Sequence, residues 1–408
     1  MNKPGNFLLL AAITVVVVFA AIHVQRGPEQ TATQQTLLFP ELHEKLNRAA
    51  HIRLARGESV IQLHRQKEGA WGVPARANYP AALDKIHELL LGTARLQRLE
   101  QKTSNPERYH RLGLTETRDD SNHNGGALRI TIQDQQKETL ADLFLGKRSA
   151  AKGRRGREEM YARLPDDPTV WLVEGNLPYA DETTDWLQEN ILTFDQARIR
   201  AVHITHPDGE QVIVQRVDPK ATDYQLIDLP EGAKPKSTYV INGIASDMAN
   251  LRLQDVRALK ELDLSSGKPG AQILLTTFDG MRITMKTQRT GQETLARFEA
   301  GFDAALVYSE PEIEPSQPEK AEAGEPGKDA AQDKKTQPLA IQTPSDKPEK
   351  RRDADTVKKE AELLSAKWRD WAYILSEHHL NNLTKRISDL IEKPADSAAK
   401  ENGIGESE

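Results

Sequence analysis

The chain has 408 residues, 28% charged and 38% hydrophobic, with a net charge of −6 and no cysteine. An acidic balance without a global basic field excludes nucleic acid as an expected partner. The missing thiols exclude disulfides, thiolate chemistry and cysteine–zinc sites.

Residues 7–24, FLLLAAITVVVVFAAIHV, form the one long apolar run. Eighteen helical residues span about 27 Å, close to the roughly 30 Å hydrocarbon core of a bilayer. Insertion of its twelve Phe, Leu, Ile and Val side chains gains at most about 4–7 kcal/mol. Two readings compete. One is an uncleaved anchor. The other is a secretory signal peptide cut after Val18-Phe19-Ala20. The run continues past Ala20 to Val24, which favours the anchor. Lys3 and the terminal amine orient it with residues 1–6 in the cytoplasm and the body outside. The expectation is a single-pass protein of the inner membrane with a periplasmic body. A cysteine-free extracytoplasmic body fits a Gram-negative bacterium.

Residues 25–45 read as a tether, with a brief helix over 42–50. Residues 51–56 and 59–65 alternate apolar and polar around Arg56-Gly57-Glu58, a hairpin pattern. Residues 68–73 read as a third strand with Trp71 inward. Tyr79-Pro80 opens a helix striped by Leu83, Ile86 and Leu90. Residues 105–126 are loop-rich. Strands follow near Leu128-x-Ile130-x-Ile132, 139–145, 160–164 and 170–173, then a helix over 180–192. The pattern then restarts. Strands at 199–205 and 211–217 flank His206-Pro207-Asp208-Gly209. A strand at 224–227 and a helix carrying Val240, Ile244, Met248 and Leu251 follow. A hairpin then spans 271–287, with a strand at 304–308. Residues 309–355 hold seven of the 22 prolines and almost no large apolar side chains. Such composition predicts disorder. A helix over 356–369, a strand over 371–375 and a helix over 377–391 close the body, and residues 393–408 read as a disordered tail.

The restart is a repeat. Val60-Ile61 aligns with Val212-Ile213, Trp71 with Tyr224, Ile86 with Ile244, and Trp171 with Trp371. The predicted fold is α+β: two tandem repeats of antiparallel sheet plus helices, after one N-terminal transmembrane helix. The first repeat covers 46–194. The second covers 197–308 plus 356–392, with the insert inside it.

The residues Val60-Ile61-Gln62-Leu63, Trp71-Gly72-Val73, Tyr79-Pro80, Trp171-Leu172-Val173 and Trp371-Ala372-Tyr373, behind an N-terminal membrane helix, resemble the domain-of-unknown-function 4340 family over about residues 45–392. The resemblance implies an accessory envelope protein, an auxiliary component of a gliding-motility-associated ABC transporter. It brings no catalytic residues, and the insert departs from the simple family pattern.

Searches for chemistry mostly fail. His43-Glu44 lacks the second zincin histidine, because Asn47 stands there. Leu145-Gly146-Lys147-Arg148-Ser149 misses the phosphate-loop pattern twice, at Ala141 and at Arg148. No G-x-S-x-G occurs. His203 and His206 read as solvated turn histidines, and His378 and His379 as a cap or surface pair facing different directions. Trp368, Trp371 and Tyr373 read as core. No catalytic, cofactor or metal residue is therefore expected, and the protein is read as non-enzymatic. One cluster stands out: Lys147, Arg148, Lys152, Arg154, Arg155 and Arg157 lie in eleven residues. It is either a solvated hairpin loop or a patch for an anionic lipid, an acidic glycan or an acidic partner. The composite expectation is a membrane-anchored auxiliary subunit beside an ABC-type permease. The alternative is a periplasmic binding module for an anionic envelope lipid or glycan.

Overall fold

The computed structural model describes residues 36–116, 126–152, 157–178, 180–309 and 352–392. The apolar run at 7–24 lies outside them, as do most of the insert and the C-terminal tail. No helix among the described residues is long and apolar enough to cross a membrane. The fold is α+β, with two large antiparallel sheets in two compact units. One unit ends at Glu189 and the other begins at Asn190.

In the first unit the chain forms β1 (Thr36–Leu37), helix α1 (Leu42–Lys45), β2 (Ala49–Arg56), β3 (Ser59–Arg65), β4 (Trp71–Val73) and β5 (Tyr79–Pro80). Helix α2 (Leu83–Ala94), β6 (Gln97–Thr103), helix α3 (Tyr109–Leu112), β7 (Leu128–Asp134), β8 (Thr139–Lys152), β9 (Glu158–Arg163) and β10 (Val170–Gly175) follow. The alternation in the sequence sets the faces, because successive strand side chains point to opposite sides. Ile52 pairs with Leu63 and Leu54 with Ile61, and all four are buried. Helix α2 closes this core with Ile86, Leu89, Leu90 and Ala94.

The second unit forms β11 (Asn190–Thr193), β12 (Ile199–Thr205), β13 (Gln211–Gln215), β14 (Gln225–Ile227), helix α4 (Thr238–Ala249), β15 (Asn250–Ala258), β16 (Lys268–Thr277), β17 (Met281–Thr290) and β18 (Glu293–Phe302). After the insert come helix α5 (Ala354–Trp368), β19 (Trp371–Leu375), helix α6 (Glu377–Leu383) and helix α7 (Ile387–Leu390). Helix α5 is capped by Asp353, whose carboxylate accepts from the Thr356 backbone, and buries Val357, Ala361 and Trp368. Ser365 Oγ donates to Ala300 O and accepts from Ala300 N at 2.8 and 2.9 Å, bolting the helix to β18. Strand β19 inserts between β15 and β18.

Apart from the extra edge strand β5 of the first, the two sheets share one topology. The first runs β1-β6-β10-β9-β8-β7-β2-β3-β4-β5 and the second β11-β15-β19-β18-β17-β16-β12-β13-β14. Each unit thus has a leading edge strand, a three-strand start, a helix, and a strand that crosses to the far side. A three-strand meander and an inserted last strand complete it. The units also share a late bridge that returns to the start of the main helix, Ala81 with Leu187 and Pro235 with Ile391.

Side-chain burial adjusts the aligned registers. Inward Ile61 and Leu63 match inward Val212 and Val214, so Val60 does not match Val212. The buried set Ile86, Leu89, Leu90, Thr93 and Ala94 repeats as Ile241, Ile244, Ala245, Met248 and Ala249. Ile86 therefore corresponds to Ile241, one turn before Ile244.

Several predicted elements differ. Residues 36–45 are body, since β1 pairs with β6 and Leu38 and Leu42 are buried. Tyr79-Pro80 is an edge strand, and the helix starts at Leu83. The helix expected over 180–192 is a 3-10 turn (Thr183–Trp186) followed by β11, which belongs to the second unit, so the first repeat ends earlier than 194. The 304–308 strand is a 3-10 turn, and β18 precedes it. The helix over 377–391 is two helices broken before Arg386. Helix α5 and its cap start inside the span assigned to disorder. Leu251, read into the helical stripe, lies in β15, since the helix ends at Ala249, and β6 carries Leu99 as its one apolar side chain.

Candidate functional site

The basic cluster sits on the β8–β9 hairpin. Lys147 and Arg148 lie in β8, Lys152 is its last residue, and Arg157 immediately precedes β9. Arg154 and Arg155 lie outside the described residues. The Arg148 guanidinium pairs with Glu158 across the hairpin, and its Nη2 donates to Leu177 O at 3.4 Å. Arg157 Nη1 lies 4.0 Å from the carboxylate of buried Glu174. It also donates to Gln97 Oε1 at 3.5 Å. Arg148 and Arg157 thus face carboxylates, one from Glu158 just beyond the cluster and one from Glu174 on the neighbouring strand. Gly146 allows close packing rather than phosphate binding, since a Cβ there would meet Leu112 O at 2.2 Å.

The histidines differ from expectation. His206 is buried, and its Nε2 lies 3.2 Å from Lys385 O. His203 is half-buried in β12, and burial lowers its pKa below the ordinary value. His378 Nε2 and His379 Nδ1 converge on one Asp247 oxygen at 3.7 and 3.8 Å, and Asn382 Nδ2 donates to the same oxygen. Consecutive helix positions normally diverge by about 100°, and here Asp247 on the facing helix draws both rings to one side. Burial raises the Asp247 pKa, but the nearby His379 ring and the bond from Asn382 outweigh it and leave it lowered. Among the described residues no group of three or more such side chains is arranged to hold a metal. Trp368 and Tyr373 are buried beside Phe298, with ring centroids 5.4 and 5.6 Å from it.

Two clefts in the first unit combine apolar walls with an arginine. The larger, about 480 Å³, is lined by Pro106, Tyr109, Arg163, Pro165 and Pro168, with Glu116 and Asp166 at its rim. Arg163 is buried, its guanidinium 4.5 Å from the Phe144 ring centre and 5.1 Å from that of Tyr109. Its Nη2 donates to Glu116 Oε1 at 2.9 Å and its Nη1 to Leu164 O at 3.2 Å. This cation is committed to holding a loop, although its Nε has no hydrogen-bond partner among the described residues.

The second cleft, about 380 Å³, lies between helix α2 and the β3–β4 corner. Its walls are Leu46, Trp71, Leu83, Leu90 and Leu91, and Arg65 and His87 stand at its mouth. Leu83 and Leu91 are exposed at 46% and 37%. Arg65 is exposed, opposite Trp71 in the β3–β4 register, and its Nη1 donates to Asn47 O at 2.8 Å. In the second unit Arg216 and Tyr224 flank the last strand pair, Gln215 with Gln225, with the guanidinium 4.9 Å from the ring centre. There the corner is closed. Arg216 donates to the backbone oxygens of Gln196, Ala197, Ile199 and Ala221. Sequence reading overlooked both arginines. The available signal was their common position two residues beyond the last inward side chain of the hairpin, Leu63 or Val214.

A family model described as Domain of unknown function (DUF4340) matches residues 71–272. The match starts at the β4 tryptophan of the first unit and ends within β16 of the second. No curated protein and no solved structure matches the chain.

Proposed function

We propose, from the premise that this chain belongs to the domain-of-unknown-function 4340 family, that it is a membrane-anchored periplasmic accessory protein. In this reading it is a non-enzymatic auxiliary subunit of an ABC-type transporter complex in the inner membrane. The observation that carries the reading is the pairing of one membrane-length apolar run, residues 7–24, with two copies of a single sheet topology. Large twisted sheets with covering helices present broad, rigid surfaces suited to docking against partners. The buried arginines Arg163 and Arg216 and the half-buried Arg198 are committed to contacts that hold the fold.

The test is capture of the chain from mild-detergent extracts of cells that express it at native level. Co-purification of a permease and an ATPase is the expected result. Recovery without any membrane partner contradicts the role.

The alternative, a binding module for an anionic envelope lipid or glycan, depends on the basic hairpin. The carboxylates of Glu158 and Glu174 weaken the field of Arg148 and Arg157, which leaves Lys147, Lys152, Arg154 and Arg155 as its support. Arg154→Glu with Arg155→Glu should abolish binding to vesicles rich in anionic phospholipid, and unchanged binding removes this reading.

A further inference from the structure

The duplicated fold carries an internal comparison. In the second unit the chain between Arg216 and Tyr224 fills the corner beside helix α4. Ala221 O accepts from Arg216 Nη1 at 2.7 Å. Asp223 Oδ1 accepts from Asn242 Nδ2 at 2.8 Å, and Tyr224 N donates to Asn242 Oδ1 at 2.9 Å. The helix and the arginine thus clasp an extended segment by one backbone carbonyl and one carboxylate.

The first unit has residues at the corresponding positions but a shorter loop. Arg65 stands where Arg216 does. His87 stands where Asn242 does, by the matched burial of helices α2 and α4. The connection between β3 and β4 is residues 66–70, against residues 216–224 between β13 and β14. It folds back on itself, with Gln66 N donating to Ala70 O, and leaves the 380 Å³ cleft open. The walls have also changed character. Leu83, Leu90 and Leu91 replace Thr238, Ala245 and Ser246, so apolar area faces the opening.

We propose that this cleft of the first unit is a binding site for an extended acidic peptide segment of another protein. A backbone carbonyl of the peptide takes the place of Ala221 O on Arg65, and a carboxylate takes the place of Asp223 beside His87. Apolar side chains lie against Leu83, Leu90 and Leu91. An arginine at the mouth favours an acceptor-rich, anionic occupant over a basic one, and the leucines supply contact area that a free anion could not use. The site does not depend on the partner being a transporter.

The probe is the blocked, fluorescein-labelled peptide of residues 217–224, added to the full chain in detergent and followed by anisotropy. Saturable binding is expected, weakened about tenfold by Arg65→Gln and several-fold by His87→Ala, since each removes one anchoring polar contact. Both side chains are exposed, so these variants fold. A peptide carrying Asn at the Asp223 position should bind several-fold more weakly. Replacing residues 66–70 with the longer second-unit loop should abolish binding by filling the cleft from within. No saturable binding up to millimolar peptide overturns the proposal. So does binding that is indifferent to both Arg65→Gln and His87→Ala, and equal binding of the Asn peptide overturns the acidic assignment.

Discussion

Arg65 and Arg216 occupy one position in two copies of a fold, yet Arg65 is exposed and Arg216 is only 6% exposed. Arg216 has no carboxylate partner in its contacts. Four backbone carbonyls and the rings of Tyr224 and Phe278 surround its charge. A guanidinium can do this because its donors spread over a planar fork, whereas an ammonium concentrates three donors at one point.

The two arginines therefore respond differently to the same change. Arg216→Lys leaves buried carbonyls without donors and should cost about 3 kcal/mol. Arg65→Lys, at an exposed site, should stay within about 0.5 kcal/mol. Urea denaturation of the two variants checks the contrast; equal effects would refute the difference in role.

A second prediction concerns the return of the chain after the insert. Arg198 Nη1 and Nη2 donate to the two oxygens of Glu360 on helix α5, each at 2.9 Å. Asp279 accepts from Nε at 2.8 Å. The Arg198 side chain is 11% exposed. Glu360→Gln leaves Asp279 as the one carboxylate on Arg198 and turns one acceptor into a donor, and should destabilise the second unit by about 2 kcal/mol, the scale of a charge-assisted hydrogen bond. A double-mutant cycle with Arg198→Lys should show coupling, and additive effects would contradict a direct pair.

At high pH the buried phenol of Tyr224 should titrate late. Burial pushes its pKa up to about 12, only partly opposed by Arg216. Its hydroxyl donates to Ile199 O at 3.1 Å. A raised folded-state pKa means the unfolded chain releases this proton first, near the ordinary value of about 10. The contribution is intact below pH 10 and is lost as pH rises toward about 12. Ultraviolet titration should lose one late phenolate in Tyr224→Phe, and stability should fall less steeply above pH 10 in that variant.

On the acid side, His51 and His64 meet edge to face at 4.8 Å across β2 and β3. Burial, then the nearby Lys137 charge, lowers both pKa values below the ordinary histidine value. The unfolded chain therefore takes up protons first as pH falls through about 6.5. Stability from the neutral pair is complete above that point and is lost as pH drops through the folded-state values. His64→Gln should flatten the decline of stability below pH 6.5, and an unchanged decline would assign it elsewhere.

Much of the architecture was legible because it rests on period-two alternation. Ile52, Leu54, Ile61 and Leu63 mark their hairpin directly, and Trp371-Ala372-Tyr373 marks a buried strand. Strand β6 was hidden because Leu99 is its one apolar side chain, and the start of β15 because Leu251 follows the stripe of the helix before it. Helix α2 shows a subtler limit. Leu83 follows the helical stripe yet lies outside, because the short 66–70 loop covers nothing there. The candidate sites were least legible. A cluster of like charges is visible in sequence, and Glu158 directly follows it, but its pairing with Arg148 and the approach of Glu174 to Arg157 arise only by strand pairing. Arg65 and Arg216 become conspicuous only when the two copies are set in structural register.

The apolar run at residues 7–24 remains the feature on which the proposed role turns. The most direct measurement is the intact mass of the mature chain recovered from washed membranes. An uncleaved anchor predicts a mass that retains residues 7–24, with the chain in the membrane fraction. A mature chain beginning after Ala20 and recovered in the soluble periplasmic fraction would contradict the account.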